Sequence, residues 1–357
     1  MNLNEENTRL NNEEYDQGKT VLSSYPQELA VQVNAPCSQS CIFCERPSAY
    51  RHFDIDEFLR DSEEILYPAF QRVNIIELNG YGELLLLPEA KRILEYFNRY
   101  VNAEKRFTTN GSSLTAKMTD NIVCSGNRYQ ISIEMPAAEG GLYREIANSG
   151  CFSNIIKNLK YLRETRELHD TVRYSLVFPA MAANISNLKY FIDFAAENRA
   201  DSVEVHYKHI FSADRKTLSC YFSRAQTNRM LEAAAKLREK YKDKMKINLP
   251  PLFGMEYAQA ADKCRAPWTR MMVNTSGEVS PCNTVKEIYG NLRAGENYMD
   301  VWNGKSYIEL REKIINDSNE CAGLCWMKNP AAVDDFRSHV ITRGKSKEEL
   351  SEFFRGI

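Results

Sequence analysis

Apolar and polar positions along this chain fall into blocks whose period switches between two and about 3.6, the signatures of strand and helix. Glu28 to Asn34 (ELAVQVN) reads as a strand and precedes an amphipathic stretch from Asp54 to Phe70; Val73 to Asn79 likewise precedes Pro88 to Tyr100. Lys105 to Asn110 leads into a helix starting near Ser113, and Tyr129 to Glu134 leads into Asn154 to Glu164. Val172 to Phe178 and Ser202 to Lys208 are followed by helical patterns over Asn187 to Asn198 and Arg224 to Tyr241. Such succession implies parallel strands with right-handed crossovers, because a parallel pair needs a connection long enough to hold a helix. The predicted fold is α/β, a partial (β/α)6 TIM-like barrel, and several mostly apolar strands suit a sheet covered on both faces. Pro88 fits a first helical turn and Asn187 a helix cap.

The alternation stops near Pro250. Beyond it "MMVNTSGEVSPC" predicts a hairpin turning at Ser276-Gly277, in a region where cysteines resume. The expected organisation is a polar N-terminal extension (1–27), the barrel (28–254), a small metal-dependent module (255–330) and a C-terminal tail (331–357). The acidic leader "NEENTRLNNEEYD" is expected to be a flexible terminus, and the basic stretch Lys236 to Lys246 a solvated helix face.

Charge changes this picture little: 46 Lys plus Arg against 48 Asp plus Glu leaves -2, with no basic footprint for nucleic acid. No apolar run approaches the roughly 18 residues needed to span a bilayer, and no signal-peptide pattern opens the chain, so a cytoplasmic protein is expected. Ten cysteines in such a chain point to metal rather than disulfides. Cys124, Cys151 and Cys220 stand alone and read as small buried hydrophobes.

In barrels of this kind the chemistry sits on loops after the carboxyl ends of strands. Cys37, Cys41 and Cys44 follow the first strand, "GYGE" (Gly80 to Glu83) the second, and "TNG" closes the third, while Ser132 and Glu134 end the fourth. Thiolates at C-x3-C-x2-C spacing on one loop can hold three irons of a [4Fe-4S] cluster and leave the fourth open. Structural zinc, the alternative, prefers four protein ligands.

With Phe43 just ahead of the last cysteine, this motif resembles the signature of the radical S-adenosylmethionine (radical SAM) superfamily. The resemblance runs from about Glu28 to Trp326 and implies that SAM chelates the open iron. It further implies that Gly80, Gly82 and Glu83 form the loop binding the methionine amino group. Ser132 and Glu134 would contact the SAM ribose, with Phe43 near adenine and Asn184 a further candidate there. Two features depart from the family: Leu84 replaces a common proline, and Ala147 stands where an arginine is frequent, leaving the SAM carboxylate without an assigned ligand.

Cys264, Gly277 and Cys282 resemble the opening of the SPASM and shorter twitch domains, small iron-sulfur domains that follow many radical SAM barrels. Cys264, Cys282, Cys321 and Cys325 are too few for two clusters, so the resemblance implies one auxiliary [4Fe-4S] cluster; a four-cysteine zinc site is the competing reading. The implied activity is reductive cleavage of SAM to a 5'-deoxyadenosyl radical that abstracts a substrate hydrogen, fed by a flavodoxin- or ferredoxin-type electron donor. The expected reaction oxidises or epimerises a small-molecule carbinol such as a sugar or aminocyclitol. Modification of a ribosomally made peptide and a non-enzymatic electron carrier or sensor are the alternatives. His206, Tyr207, His209 and Asp214 are candidate bases for oxidation, and Cys220 is the candidate hydrogen donor for epimerisation.

Overall fold

The computed structural model describes residues 2–44, 54–257, 263–282, 287–318, 324–326, 328–341 and 345–356. Its strands are β1 (Glu28–Gln32), β2 (Ile75–Asn79), β3 (Glu104–Thr109), β4 (Tyr129–Glu134), β5 (Val172–Ala180), β6 (Ser202–Tyr207), β7 (Lys246–Asn248), β8 (Arg270–Val273), β9 (Glu278–Ser280) and β10 (Gly290–Asn291). They form one sheet in the order β10-β9-β8-β1-β2-β3-β4-β5-β6-β7. Every pairing from β1 to β7 is parallel, as the crossover helices require.

All six expected strands are present. The short β7 has no counterpart in the sequence reading because three residues carry too little periodicity to register. The hairpin is also present as β8 and β9, with Gly277 at φ +79° in its turn. Rather than standing apart, it joins the barrel sheet, β8 pairing in parallel with β1 from Glu28↔Arg270 to Val31↔Val273.

Alternation along β4 sets the two faces of the sheet. Tyr129, Ile131 and Ile133 are buried under the helices, while Gln130, Ser132 and Glu134 face inward and stay half-exposed. The inner face is therefore polar, unlike the side-chain-filled interior of a closed TIM barrel. Arg270 from β8 reaches Glu28 on β1 and Glu77 on β2 at 2.5 Å each, pairing charges across the inner wall.

Four expectations need correction. Of the three isolated cysteines read as buried, only Cys220 is; Cys124 is exposed and Cys151 half-buried. The acidic leader is a helix, Leu3–Asp16, whose Asn7, Asn11 and Glu14 are buried rather than flexible in water. Asn187 precedes its helix but makes no side-chain cap; its Oδ1 accepts instead from the Ala138 N–H at 3.3 Å. The segment after residue 331 packs on the barrel, where Ile210 and Val340 form a parallel bridge and Phe336 and Phe353 join Ile210 in a small apolar cluster.

Candidate functional site

The loop after β1 is held in place from two sides. Past the end of the strand the β1–β2 ladder continues: Val33 N–H donates to Asn79 O (2.8 Å), Ala35 N–H to Tyr81 O (2.7 Å) and Glu83 N–H to Pro36 O (2.9 Å). Ser40 and Ile42 N–H then take the carbonyls of Ala147 and Ile146, which end the helix Gly140–Ala147 and have no intrahelical donor. Cys37, Cys41 and Cys44 ride on this doubly tethered loop, the first two half-buried and the third exposed.

The glycines of "GYGE" are dictated by that contact. A Cβ on Gly80 would lie 2.3 Å from the Val33 carbonyl oxygen, and one on Gly82, at φ +92°, only 1.8 Å from that of Ala35. Their demand comes first from the cysteine loop itself. Glu83 turns inward, 1% exposed, and accepts from Thr109 Oγ1 (2.8 Å), Asn110 N–H (2.7 Å) and Leu85 N–H (3.3 Å). Burial raises its pKa, opposed by these hydrogen bonds. Its carboxylate thus ties the ends of β2 and β3 together, and Asn110 Nδ2 in turn reaches the Cys37 sulfur at 3.6 Å.

Burial and the neighbouring thiols push Cys41 up to about 12, with Glu134 adding to the effect and Lys208 opposing it. Three thiols sharing one loop cannot ionise together without added positive charge, which iron would supply. Among the described residues no three His, Cys, Asp or Glu converge on a single metal ion. A four-iron cube asks for something different, one thiolate at each of three iron corners. Cys264, Cys282 and Cys325 likewise lie within electrostatic reach of one another: burial raises the Cys264 pKa and the other two thiols raise it further. Cys321 lies outside the described residues.

A cavity of about 720 Å³ opens inside the barrel, bounded by Gly80 and Tyr81 on one side and by Glu134, His206 and Lys208 on the other. Lys208, which the sequence reading passed over, sits 3.4 Å from Glu134 and 4.5 Å above the Phe43 ring. No local signal marks it, because it meets Glu134 only once β4, β5 and β6 are laid side by side. Phe43 itself is buried with Ile146 and Met181. His206 and His209 both line the cavity and flank Trp326, each with ring centroids 6.4 Å from the indole. Burial lowers the pKa of His206; it lowers that of His209 to about 4, helped by the positive charge of His339 and Lys208.

Other predicted residues lie elsewhere. Asn184 is fully buried, its amide bonded to the Pro136 and Pro179 carbonyls and its Oδ1 to the Met181 N–H, so it fastens the loop after β5 to the end of β4. The Cys220 thiol sits in the main core, pushed up to about 12 by burial, and does not line the cavity. Tyr207 does line the cavity but spends its hydroxyl on the Pro251 carbonyl at 2.7 Å, whereas Asp214 is exposed outside it.

A parallel open barrel with three cysteines on its first loop, a glycine-tight second loop and an inner polar cavity is suited to hold an iron-sulfur cluster with one open iron beside a small-ligand site. The family model described as "Radical SAM superfamily" matches residues 32–178, and "Iron-sulfur cluster-binding domain", SPASM, matches 264–326. The chain belongs to the radical SAM superfamily, an enzyme family, and carries a SPASM-type C-terminal domain. Its cofactors are accordingly a SAM-binding [4Fe-4S] cluster, SAM, and an auxiliary cluster.

Among solved structures the chain is similar to Streptococcus suis SuiB bound to S-adenosylmethionine, with 18% identity, a TM-score of 0.60 and coverage of 86% of this chain and 72% of that one. It is also similar to native anSMEcpe with bound AdoMet, at 12% identity, a TM-score of 0.60 and coverage of 92% of this chain and 96% of that one. A third similar structure is SuiB bound to precursor peptide SuiA, at 17% identity, a TM-score of 0.59 and coverage of 86% and 71%. At these identities the likeness establishes the fold. No curated protein sequence matches the chain. No helix among the described residues is long and apolar enough to cross a membrane.

Proposed function

We propose that this enzyme oxidises a carbinol of a polar small molecule held in the barrel cavity. Cys37, Cys41 and Cys44 would hold the SAM-binding cluster, and Cys264, Cys282, Cys321 and Cys325 the auxiliary one. When bound, the first cluster with SAM supplies a hydrogen-abstracting radical and the second a one-electron acceptor. Around them the protein would position the nucleoside: Ser132 and Glu134 would hold the ribose, and Phe43 would lie on the adenine side, with Lys208 set between Glu134 and the Phe43 ring. Glu83 and Asn184 act through the backbone they hold.

The observation that carries this reading is the cavity itself. At about 720 Å³ it falls in the usual range for small-ligand sites, roughly 300–1,000 Å³, and its wall mixes paired charges with uncharged donors and acceptors. His206 projects into it with its ring available to take the hydroxyl proton of a bound carbinol. The core position of Cys220 favours oxidation over epimerisation, since a hydrogen donor must reach the substrate carbon. A flavodoxin- or ferredoxin-type protein would be the electron source.

The test is anaerobic: reconstituted, dithionite-reduced protein should release 5'-deoxyadenosine from SAM, and Cys41→Ala should release none. Incubation with a panel of sugars and aminocyclitols in deuterated solvent should yield a product two electrons more oxidised, without solvent deuterium. Deuterium at the reacting carbon would instead indicate a thiol donor. A second reading, modification of a peptide, draws on SuiB with its precursor peptide and on anSMEcpe with the Cp18Cys peptide. Turnover of peptides, with none of the small molecules, would replace the first.

A further inference from the structure

The helix Leu3–Asp16 does not line the barrel cavity, yet three of its polar side chains, Asn7, Asn11 and Glu14, are buried and hydrogen-bonded, which those of solvated leaders are not. Glu14 accepts from the Ser23 and Ser24 N–H groups and from the Ser24 hydroxyl, curling the following chain back along the helix. Asn11 donates to Ser24 Oγ and, at 2.6 Å, to the Trp268 carbonyl. Next to it the Tyr15 ring meets Trp268 edge-on at 5.2 Å and lies 4.2 Å under the Arg265 guanidinium. Asn12 accepts from Arg265 Nη2 at 2.8 Å, the Tyr15 hydroxyl reaches the Lys263 carbonyl at 3.4 Å, and Trp268 Nε1 donates to Lys19 O at 2.8 Å. One helix therefore grips Lys263, Arg265 and Trp268, the residues on both sides of Cys264.

The gripped segment is anchored by the sheet on one side only, where it runs into β8 at Arg270. Among the described residues ahead of β8 its regular structure is the four-residue helix Ala266–Thr269, far below the length at which a helix is self-sustaining. The same N-terminal stretch also reaches deeper into the C-terminal module: the Thr20 carbonyl accepts from the fully buried Arg311, and both peptide groups of Leu22 bond to the Asn303 amide. A cluster ligand must be presented in a fixed geometry by its supporting shell. For Cys264 that shell comes from both ends of the chain: Arg311 Nε donates to the Pro267 carbonyl at 3.0 Å and Lys263 pairs with Asp317 from the C-terminal side, while the N-terminal helix supplies the contacts to Arg265 and Trp268.

We propose that the N-terminal helix is the positioning element of the auxiliary cluster, fixing the backbone around Cys264 so that the C-terminal module can close on its cluster. The proposal rests on Cys264 being a ligand of that cluster. Tyr15 and Asn12 are its positioning residues, acting through Arg265 and Trp268.

The full-length chain should be reconstituted anaerobically as wild type, Tyr15→Phe, the double variant Tyr15→Leu with Asn12→Ala, and a deletion of residues 2–18. Iron and sulfide per chain and the EPR spectrum of the reduced protein, with and without SAM, are the readouts. Wild type and Tyr15→Phe should hold about eight irons. The double variant and the deletion should fall toward about four, losing the SAM-insensitive signal while the SAM-responsive one persists. A synthetic peptide of residues 2–18 added to the deletion variant should restore the missing signal. Full iron and an unaltered spectrum in the double variant would overturn the proposal, as would equal loss of both signals, which marks a general stabilising role. Should the deletion variant fail to fold, the double variant decides. If wild type itself holds only about four irons, it is the auxiliary-cluster assignment that fails, a different result from either.

Discussion

Gly82 offers the sharpest test of how the cysteine loop is held. Replacing it with alanine places a methyl group 1.8 Å from the Ala35 carbonyl oxygen, whereas carbon and oxygen pack at roughly 3.3 Å, so the loop must retreat by about 1.5 Å. The left-handed backbone at φ +92° adds about 1–2 kcal/mol for a residue with a side chain. Retreat also stretches the Ala35 to Tyr81 and Glu83 to Pro36 hydrogen bonds, worth about 0.5–1.5 kcal/mol each. Gly82→Ala should therefore cost roughly 2–5 kcal/mol in denaturant unfolding of the cluster-free protein. Because Cys37 is two residues beyond Ala35, it should also remove the SAM-responsive EPR signal while sparing the auxiliary one. Gly126 provides the control: it too is left-handed, at φ +70°, but nothing lies within 4 Å of its virtual Cβ. Gly126→Ala should cost only the backbone share, about 1 kcal/mol, and keep both signals. If Gly82→Ala proves no worse than Gly126→Ala in stability and cluster content, the close-approach argument is wrong.

Other expectations follow from the same geometry. Asn184→Ala removes three buried hydrogen bonds and should lower stability by about 2–4 kcal/mol, with SAM affinity in surviving folded protein unchanged by equilibrium dialysis. Lys208→Met breaks a partly exposed ion pair and a cation–π contact; a loss of about 1–2 kcal/mol should weaken SAM binding roughly tenfold without changing iron content. His209 titrates at about 4 in the fold but near 6.5 when unfolded, so the unfolded chain takes up the extra proton as pH falls. Stability of the cluster-free protein should be complete above pH 6.5 and decline toward pH 4, by up to about 3 kcal/mol from this group. His209→Phe should flatten that decline in urea titrations at pH 7 and pH 5.

The strands and the cysteine motif were readable because they depend on neighbours in sequence. Period-two runs such as Tyr129 to Glu134 place Ser132 and Glu134 on one face whatever else the chain does. C-x3-C-x2-C likewise puts three thiols on one loop. From these came the parallel barrel, the rim expected to carry the chemistry and the iron-sulfur cluster, while SAM followed from the family resemblance that the cysteine motif carries.

What the sequence could not carry was any relation between residues far apart along it. Lys208 meets Glu134 only through the order β4-β5-β6, and Glu83 turns from the ligand side to Thr109 and Asn110 only when β2 and β3 pair. Asn184 and Cys220 look available in one dimension, but burial commits the first to backbone carbonyls and the second to the core. The polar leader misleads for the same reason: hydropathy registers that Asn7, Asn11 and Glu14 are polar, but not that partners across the chain satisfy them. Local periodicity is a property of the chain, whereas desolvation and pairing belong to the packed molecule.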